Sequence, residues 1–352
     1  MGAEIVTIVA GAGRYTAFER VEVRASHKEA ARSFTFEVAA ESGAAATQWT
    51  FAAGVPVSVF LNFDLVLTGY VDRYQPRLGD HNTALIHVSG RSKAQDWIDA
   101  SAVHKTGRFE KKNILQIARE LDIAGVGCGV GPGVVLEAIE KYQLTPGETV
   151  FNCLEKIARK QGITLAGQPD GSVLFATVNA GRHAPVVEGI NMLRGEADHN
   201  WADRHSKVIV RAQRAIGHGK DALEIEEVAE DNAVRRQRPV VIAQDDDTNK
   251  SSAKKRAKNR RDREAGNALR ASVTVQGFRD SGGRLWSPGD IVPLFSPFLG
   301  VAQDMLLESA NFSQSKQQGS LTQLSLVDPR AYGGKQGKGG KSIDAWKSGA
   351  GE

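Results

Sequence analysis

The sequence predicts a mainly β fold with an α+β insert, because strand-like patterns at both ends of the chain enclose a helical stretch. In the first and last parts, apolar and polar residues alternate in short runs, which is the period of half-buried strands. In the middle, apolar residues recur three and four positions apart, which is typical of amphipathic helices. We therefore expect a first β-barrel domain over residues 1–97, an α+β module over 98–190 and a second β-barrel domain over 191–330.

The first β-rich block has the features of a barrel wall. Gly69 and Gly90 fall inside strand-like runs, as glycines do at β-bulges and at the corners of barrels. Ser92 follows the last run, and we expect it to cap a helix that carries Trp97 and Ile98. The alternating runs indicate strands near residues 34–38, 57–61, 65–71 and 85–88.

The α+β module is expected to contain two amphipathic helices followed by two strands. Asn113 is placed to cap the first helix, and Thr149 opens a second helix that ends near Gly162. The apolar face of the first helix consists of Ile114, Ile117, Ala118 and Leu121. The strands are expected over residues 163–166 and 173–176, joined by a turn at Pro169-Asp170-Gly171.

The second β-rich block is interrupted by a strongly basic stretch, which we expect to form a helix near residues 248–270. Lys250 to Arg270 holds nine basic and two acidic residues, a net charge of +7. Asp245 to Asp247 precede it, and we interpret them as a solvated acidic start of the helix rather than as a metal site. The helix would pack through a narrow alanine seam of Ala253, Ala257, Ala265 and Ala268.

The composition is that of an ordinary soluble protein. The chain has 352 residues, of which 41% are hydrophobic and 24% charged, and its formal net charge is +4. Apolar runs such as Val55 to Phe63 are too short to span a membrane, and the N-terminus lacks the basic start of a secretory signal. Cys128 and Cys153 show no CxxC spacing, so we expect free thiols in a reducing compartment.

The sequence contains none of the common catalytic motifs. There is no GxSxG, no HExxH and no nucleophile–base or carboxylate pair at a recognisable spacing. The glycine-rich stretch from Gly125 to Gly133 lacks the Lys-Ser/Thr of a phosphate-binding loop and follows a helix, so we expect a turned or flexible loop. We therefore predict a protein that is not an enzyme and has neither a cofactor nor a metal site.

Two strings and their order resemble the baseplate hub protein of Mu-like contractile-tailed bacteriophages. The first is VSGRS at Val88 to Ser92, which is followed by the helix start DWIDAS at Asp96 to Ser101. The second is GRLWSPGD at Gly283 to Asp290, which precedes a closing β-meander. The resemblance covers about residues 4–332, and the order of the elements is more specific than any single string. The hub domain of type VI secretion spike proteins is related to this family.

The resemblance implies a homotrimer in which each subunit contributes two tube-type barrels to a ring with pseudo-six-fold symmetry. Such a ring matches a hexameric tail tube to a trimeric spike, since three copies present six similar surfaces. The implied partners are further copies of the chain, the tail tube protein, the central spike protein and other baseplate proteins. The implied location is the tail baseplate of the virion, after assembly in the host cytoplasm.

Two groups of residues are candidates for contacts in such an assembly. Arg256, Arg260 and Arg263 lie on the basic helix, and we expect them to contact a neighbouring subunit or the tail tube. The glycine- and lysine-rich residues 331–352 are expected to form a flexible tail. Ile343 and Trp346 lie one helical turn apart within it, and are candidate anchors on the spike or a neighbouring baseplate protein.

Two alternative functions remain open on the sequence alone. Residues 142–163 resemble a LysM peptidoglycan-binding motif, so the protein would bind or degrade the cell wall. The basic helix suggests nucleic-acid binding. That stretch has no aromatic residue and no recognised DNA-binding motif around it, so we do not expect specific nucleic-acid binding.

Overall fold

The structure is a computed structural model, which describes residues 4–11, 13–40, 50–78, 84–178, 181–213, 224–244 and 250–333. Its strands are β1 (Val6–Ala10), β2 (Gly13–Tyr15), β3 (Arg20–Ser26), β4 (Ser33–Ala40), β5 (Pro56–Leu61), β6 (Asp64–Leu78), β7 (Ala84–Ser92), β8 (Arg108–Lys112), β9 (Cys128–Val130), β10 (Ile139–Gln143), β11 (Thr164–Gly167), β12 (Val173–Ala176), β13 (Val186–Val187), β14 (Met192–His199), β15 (Lys207–Gln213), β16 (Glu224–Glu230), β17 (Pro239–Gln244), β18 (Leu269–Gln276), β19 (Ile291–Ser296), β20 (Val301–Ser315) and β21 (Gly319–Val327). Its helices are α1 (Gln95–Asp99), α2 (Ile114–Leu121), α3 (Val150–Gln161), α4 (Lys250–Asn267) and the 3-10 helix η1 (Pro329–Tyr332).

The fold is mainly β, as predicted, and the two ends of the chain meet in one large sheet. The described strands form a thirteen-stranded sheet with the order β14-β18-β21-β20-β3-β4-β7-β6-β5-β1-β2, and β19 and β13 continue from β20. The antiparallel pair β3–β20 joins the two halves, with a register from Ser309 opposite Ser26 to Ser315 opposite Arg20. The main path ends at β14 and β2, so the described strands do not close into a barrel.

Both halves also share one hydrophobic core. Phe34 and Phe36 from the first half belong to the same buried cluster as Val273, Phe312 and Leu324 from the second half. The two predicted blocks are thus packed as one unit, because the strands of both halves belong to one sheet and bury their apolar side chains in the same core.

Gly69 and Gly90 allow β6 and β7 to approach each other closely. A Cβ atom at Gly69 would lie 1.9 Å from the carbonyl oxygen of Arg91, and one at Gly90 would lie 2.1 Å from that of Tyr70. The register of this pair shifts between Val71 and Arg73, which is an irregularity of the β-bulge type. The sequence placed Gly69 and Gly90 at bulges or barrel corners, and the structure shows that a side chain at either position would clash with the neighbouring strand.

The prediction that Ser92 caps a helix is wrong. Ser92 is the last residue of β7, is fully buried, and its hydroxyl accepts a hydrogen bond of 3.0 Å from the backbone N–H of Arg32. Helix α1 begins after Ala94, whose side chain makes no capping hydrogen bond. The hydroxyl of Ser92 is used across the sheet, and this long-range contact has no local sequence signal.

The predicted α+β module is present with its own core. Asn113 and Gln116 form a capping box at α2, Thr149 caps α3 through the N–H of Asn152 at 3.1 Å, and α3 ends at left-handed Gly162. β11 and β12 pair as predicted. Ala94 and Trp97 pack into this module rather than into the large sheet, whereas β13 pairs with β19 of that sheet.

The C-terminal block contains a second, smaller unit that the sequence patterns did not separate from the large sheet. β16, β15 and β17 form a three-stranded sheet in that order.

At the C-terminal end of the described chain we expected the flexible tail to begin at residue 331, but Ala331 is buried and η1 continues to Tyr332. In the part of the chain that the structure describes, no helix is long and apolar enough to cross a membrane.

Candidate functional site

The basic helix α4 covers one face of the small sheet through small side chains. Ala253 and Ala257 are almost fully buried and pack in one cluster with Val208 and Val210. These two alanines of the predicted seam allow the helix to lie close to the strands, while its long basic side chains point away. The site is therefore a cationic surface supported by a thin core.

A buried carboxylate fixes the helix against the loop before β15. Glu264 is 7% exposed and accepts hydrogen bonds from the backbone N–H of His205 at 3.2 Å and from its Nδ1 at 3.0 Å. Arg260 donates from Nε to the same carboxylate at 2.7 Å. Sequence reasoning missed Glu264, and its signal was an acidic residue within a strongly basic stretch.

The three arginines proposed from sequence therefore differ in their surroundings. Arg260 supports Glu264, whereas Arg256 and Arg263 are exposed and form no ion pair with any residue that the structure describes. Spacings of four and three residues place all three on one side of the helix. Arg256 and Arg263 are the members of this set that remain available to another molecule.

The end of α4 is held by the 3-10 helix η1. A Cβ atom at Gly266 would lie 2.1 Å from the backbone nitrogen of Ala331, so only glycine permits this approach. Tyr332 then donates its hydroxyl hydrogen to Glu308 at 2.6 Å, and Lys28 and Arg270 each approach the same carboxylate at 3.1 Å.

These contacts set the charge state of Glu308. Burial raises the pKa of this carboxyl, but the hydrogen bond from Tyr332 and the charges of Arg270 and Lys28 outweigh burial, so its pKa lies below the ordinary value. Burial also raises the pKa of Tyr332. The phenol therefore stays protonated and donates to a carboxylate.

A second surface is apolar and lies at the corner where β13 meets β19. Phe298 is 88% exposed and Ile190 is 82% exposed, and Phe295, three residues before Phe298, is 44% exposed. Glu188 holds this corner, because its N–H donates to the carbonyl of Phe295 at 2.9 Å and its carboxylate accepts from the N–H of Phe298 at 3.1 Å. We call Ile190, Phe295 and Phe298 the apolar corner.

The apolar corner adjoins an open edge of the large sheet. β14 follows Ile190 within two residues and pairs only with β18 among the described strands, so its other edge has no strand partner there. An open strand edge together with exposed aromatic side chains is a surface that commonly binds another protein.

The LysM-like stretch uses its distinctive residues for internal contacts. Glu148 is buried and accepts from the hydroxyl of Tyr142 at 3.0 Å, from the N–H of Thr145 at 3.1 Å and from Lys156 at 2.6 Å. This network closes the turn before α3. The residues that suggested glycan binding therefore have structural partners.

The glycine-rich stretch that follows α2 begins as a turn, but contrary to the expectation of a loop its centre forms β9, which pairs in parallel with β12. The carboxylate of Asp122 accepts hydrogen bonds from the N–H groups of Val126 and Gly127, each at 2.9 Å, and from the indole of Trp97 at 2.8 Å. These donors therefore have an acceptor inside the fold.

The GRLWSPGD turn packs against a buried His–Asp pair, His183 and Asp280, which orders the chain rather than exposing a reactive group. Asp280 accepts from Nδ1 of His183 at 2.9 Å and from the N–H of Arg284 at 2.9 Å. Nε2 of His183 accepts from the N–H of Ser287 at 3.2 Å, and the ring is buried. No cluster of three metal-ligating side chains occurs among the residues that the structure describes.

Several predicted residues cannot be placed in the fold. Ile343, Trp346 and the acidic run Asp245 to Asp247 lie outside the described residues. Their proposed roles as an anchor and as an acidic helix start remain predictions.

Three family models match the chain in consecutive order. Residues 4–92 match the model described as Mu phage baseplate assembly protein GpP-like, N-terminal. Residues 94–177 match that of the second domain of baseplate hub protein gp44-like proteins, and residues 249–334 match that of the fourth domain of Mu phage baseplate assembly protein GpP.

Similar proteins extend the match along nearly the whole chain. Baseplate hub protein gp44 of Escherichia phage Mu is 26% identical over 339 residues, which cover 93% of this chain and 88% of that protein. The 43 kDa tail protein of prophage MuSo2 from Shewanella oneidensis has a TM-score of 0.81 and 25% identity over 94% of this chain and 99% of that chain. An E. coli component of the type VI secretion system shares the fold, with a TM-score of 0.57 and 10% identity over 91% of this chain and 76% of that chain.

Proposed function

Because the chain belongs to the family of Mu-like phage baseplate hub proteins and is a structural component of the tail baseplate, we propose that it is a homotrimeric adaptor between a hexameric tail tube and a trimeric spike. The observation that carries this proposal is the match to gp44 of phage Mu, which covers 93% of this chain and 88% of that protein. The three family models also match consecutive parts of the chain in the order of their domains. Further proposed partners are other baseplate proteins, and the proposed place of assembly is the host cytoplasm.

The shape of the large sheet supports the adaptor role. The main path begins and ends in edge strands that come from opposite halves of one chain, β14 and β2. In a closed ring, one end of each copy faces the other end of the next copy, so open edges are covered. We propose that each half supplies one tube-type barrel wall, and that three copies present six similar surfaces.

We propose the apolar corner and the β14 edge as the surface that meets a second copy. Phe298 precedes Leu299, whose carbonyl oxygen lies 2.8 Å from Nε2 of His199 on β14, and the carboxylate of Glu188 fixes the Phe298 backbone. Aromatic side chains on a rigid backbone are effective anchors, because little conformational entropy is lost on binding.

We further propose that the role is not enzymatic. Tyr142, Glu148 and His183 have partners inside the fold, and the contacts of each have a structural explanation. The basic helix is proposed to contact a neighbouring subunit or the tail tube through Arg256 and Arg263. Neither cell-wall binding nor nucleic-acid binding gains a specific supporting observation.

The trimer is tested by light scattering during size-exclusion chromatography. We expect a mass of about three times the 37.9 kDa chain. Phe298→Glu should lower the mass towards that of the monomer, because a charge at an apolar contact cannot be desolvated cheaply. Ile123→Glu is the matched control, since Ile123 is 73% exposed on the α+β module. A monomer at high concentration would contradict the trimer, whereas a trimer unaffected by Phe298→Glu would contradict only this surface.

A further inference from the structure

A cavity of about 150 Å³ lies where three separate parts of the fold meet. His27 and Arg32 approach it from the segment between β3 and β4, Gly167 and Gln168 from the α+β module, and Trp286 from the GRLWSPGD turn. Water occupies roughly 30 Å³ per molecule in the liquid, so the space is sufficient for one small polyatomic ion.

Two polar atoms in the lining have no protein partner. Nε2 of His27 and Nε1 of Trp286 are buried and form no hydrogen bond with any described group, and these residues are only 1% and 3% exposed. The indole nitrogen is a donor only, so its ligand must supply a lone pair. Most buried polar atoms are hydrogen-bonded, and two exceptions in one cavity point to a shared acceptor.

The same cavity is lined by a buried cation that forms no ion pair with any described residue. Arg32 donates from Nε to the carbonyl of Gly167 at 2.9 Å and from Nη1 to that of Val66 at 2.8 Å. No carboxylate forms an ion pair with Arg32 among the residues described. Burial lowers the pKa of this guanidinium to about 10 because its charge is costly to desolvate, and the charge of Asp170 only partly opposes this effect. An anion beside it would offset that cost.

The lining side chains are held in place by their neighbours. The ring of Trp286 lies 4.7 Å from that of His183, and the ring of His27 lies 5.4 Å from that of Tyr332. The guanidinium of Arg32 is fixed by two carbonyl oxygens from different segments. The donors are therefore ordered before any ligand arrives, which favours binding.

We propose that this cavity binds one small oxyanion of the phosphate or carboxylate class. Its oxygens accept from Nε1–H of Trp286 and from His27 in the tautomer that carries its proton on Nε2. Its charge is balanced by Arg32. The bound anion lies where the α+β module meets the large sheet, because Gly167 and Gln168 of the module line the same cavity. This inference does not depend on the proposed assembly.

The direct test is NMR of the full-length chain with ¹⁵N-labelled tryptophan indoles. Inorganic phosphate is titrated at constant ionic strength against chloride, and acetate is titrated in a second arm. The Trp286 signal should shift and saturate with phosphate, with acetate or with both, and the arm with the stronger effect identifies the anion. The Trp97 and Trp201 signals are internal controls, because Trp97 donates to Asp122 and Trp201 lies outside the cavity.

A variant series provides an independent measurement. Trp286→Phe keeps an aromatic ring but removes the donor, which should weaken anion binding about tenfold or more. Trp201→Phe is the matched substitution outside the cavity. Phosphate stabilises many proteins by exclusion, so the quantity compared is its gain in melting temperature over chloride, which Trp286→Phe should lose and Trp201→Phe should keep.

Two results would overturn the proposal. One is a Trp286 indole signal that stays fixed, or that moves equally with chloride, in the unsubstituted chain. The other is a gain in melting temperature from phosphate that is the same in Trp286→Phe as in Trp201→Phe. The first measurement needs the Trp286→Phe protein only for assignment of the signal, and its failure would leave the trimer proposal untouched.

Discussion

Glu308 shows how a single residue connects distant parts of this chain. Its carboxylate is reached by Lys28 from the segment after β3, by Arg270 from β18 and by Tyr332 from η1. The sequence gives no sign of these contacts, because Lys28 lies 280 positions away and even Tyr332 lies 24 positions away. Only the pairing of β3 with β20 brings these groups together.

Glu308→Gln is expected to lower the free energy of unfolding by about 2 kcal/mol at neutral pH, since hydrogen bonds to a charged group are worth roughly that amount. Because the folded-state pKa of Glu308 is lowered, its stabilisation is present above the ordinary value of 4.5 and is lost as pH falls through the folded value. Denaturant unfolding at pH 7 and at a pH well below 4.5, where Glu308 is protonated in the folded protein as well, measures this. Tyr332→Phe is the smaller control change, and a Glu308→Gln deficit that persists unchanged in acid would contradict the assignment.

At the scale of the element, α4 is a helix whose position is set by small residues. The sequence predicts it near residues 248–270, and the structure shows it at Lys250–Asn267 with Ala253 and Ala257 inward. Alanine and long basic residues have high helix propensity, so its existence follows from local chemistry. The buried pairing of Glu264 with His205 does not, because it depends on where the small sheet lies.

The arginines of α4 are expected to separate into two classes on charge reversal. Arg260→Glu should lower the free energy of unfolding by about 1–2 kcal/mol, because it places a like charge beside buried Glu264. Arg256→Glu with Arg263→Glu should leave the melting temperature nearly unchanged and weaken self-association or tube docking in a salt-dependent way. Melting curves and sedimentation at low and high salt measure both effects.

Lys254→Glu with Lys258→Glu is the matched pair, since these residues carry the same charge on the same helix at a different rotation about its axis. If this pair weakened assembly as much as the arginine pair, the contact would depend on total charge alone. If neither pair had any effect on assembly, α4 would not be a contact surface.

At the scale of the whole molecule, η1 joins the small sheet with its helix to the large sheet. η1 packs against the end of α4 at Gly266, and Tyr332 reaches Glu308 in the large sheet. The packed chain thus continues through Tyr332, and the residues from 334 onwards, including Ile343 and Trp346, lie outside the described part.

A pair of truncations tests where the structural unit ends. A chain ending at Gly333 should trimerise and melt at nearly the same temperature as the full chain, while recruitment of a spike or baseplate partner falls if Ile343 and Trp346 are anchors. A chain ending at Asp328 should lose several kcal/mol, because it removes the contacts of Ala331 and Tyr332. Equal stability of the two truncations would show that η1 contributes nothing, and normal particle yield from the first would exclude the anchor.

The sequence by itself determined the elements with local causes. The caps at Asn113 and Thr149, the end of α3 at Gly162, the strand periods and the first two alanines of the predicted seam depend on residues within a turn or two of each other. Ala265 and Ala268 lie outside the cluster that packs on the small sheet, and Ala268 follows the end of α4. The sequence also determined the family, since the order of strings is a property of the chain. Gly69 and Gly90 could be recognised from the sequence because glycine is unusual inside a strand-like run, although the clash that requires glycine there was not predictable.

Only the tertiary structure decided which distant residues meet. It joined the two predicted blocks through β3 and β20, placed the hydroxyl of Ser92 on Arg32 and gathered His27, Arg32 and Trp286 around one cavity. Strand pairing and buried polar contacts join residues far apart in the chain, and their partners depend on global packing. A pattern read over ten residues carries no information about such pairs.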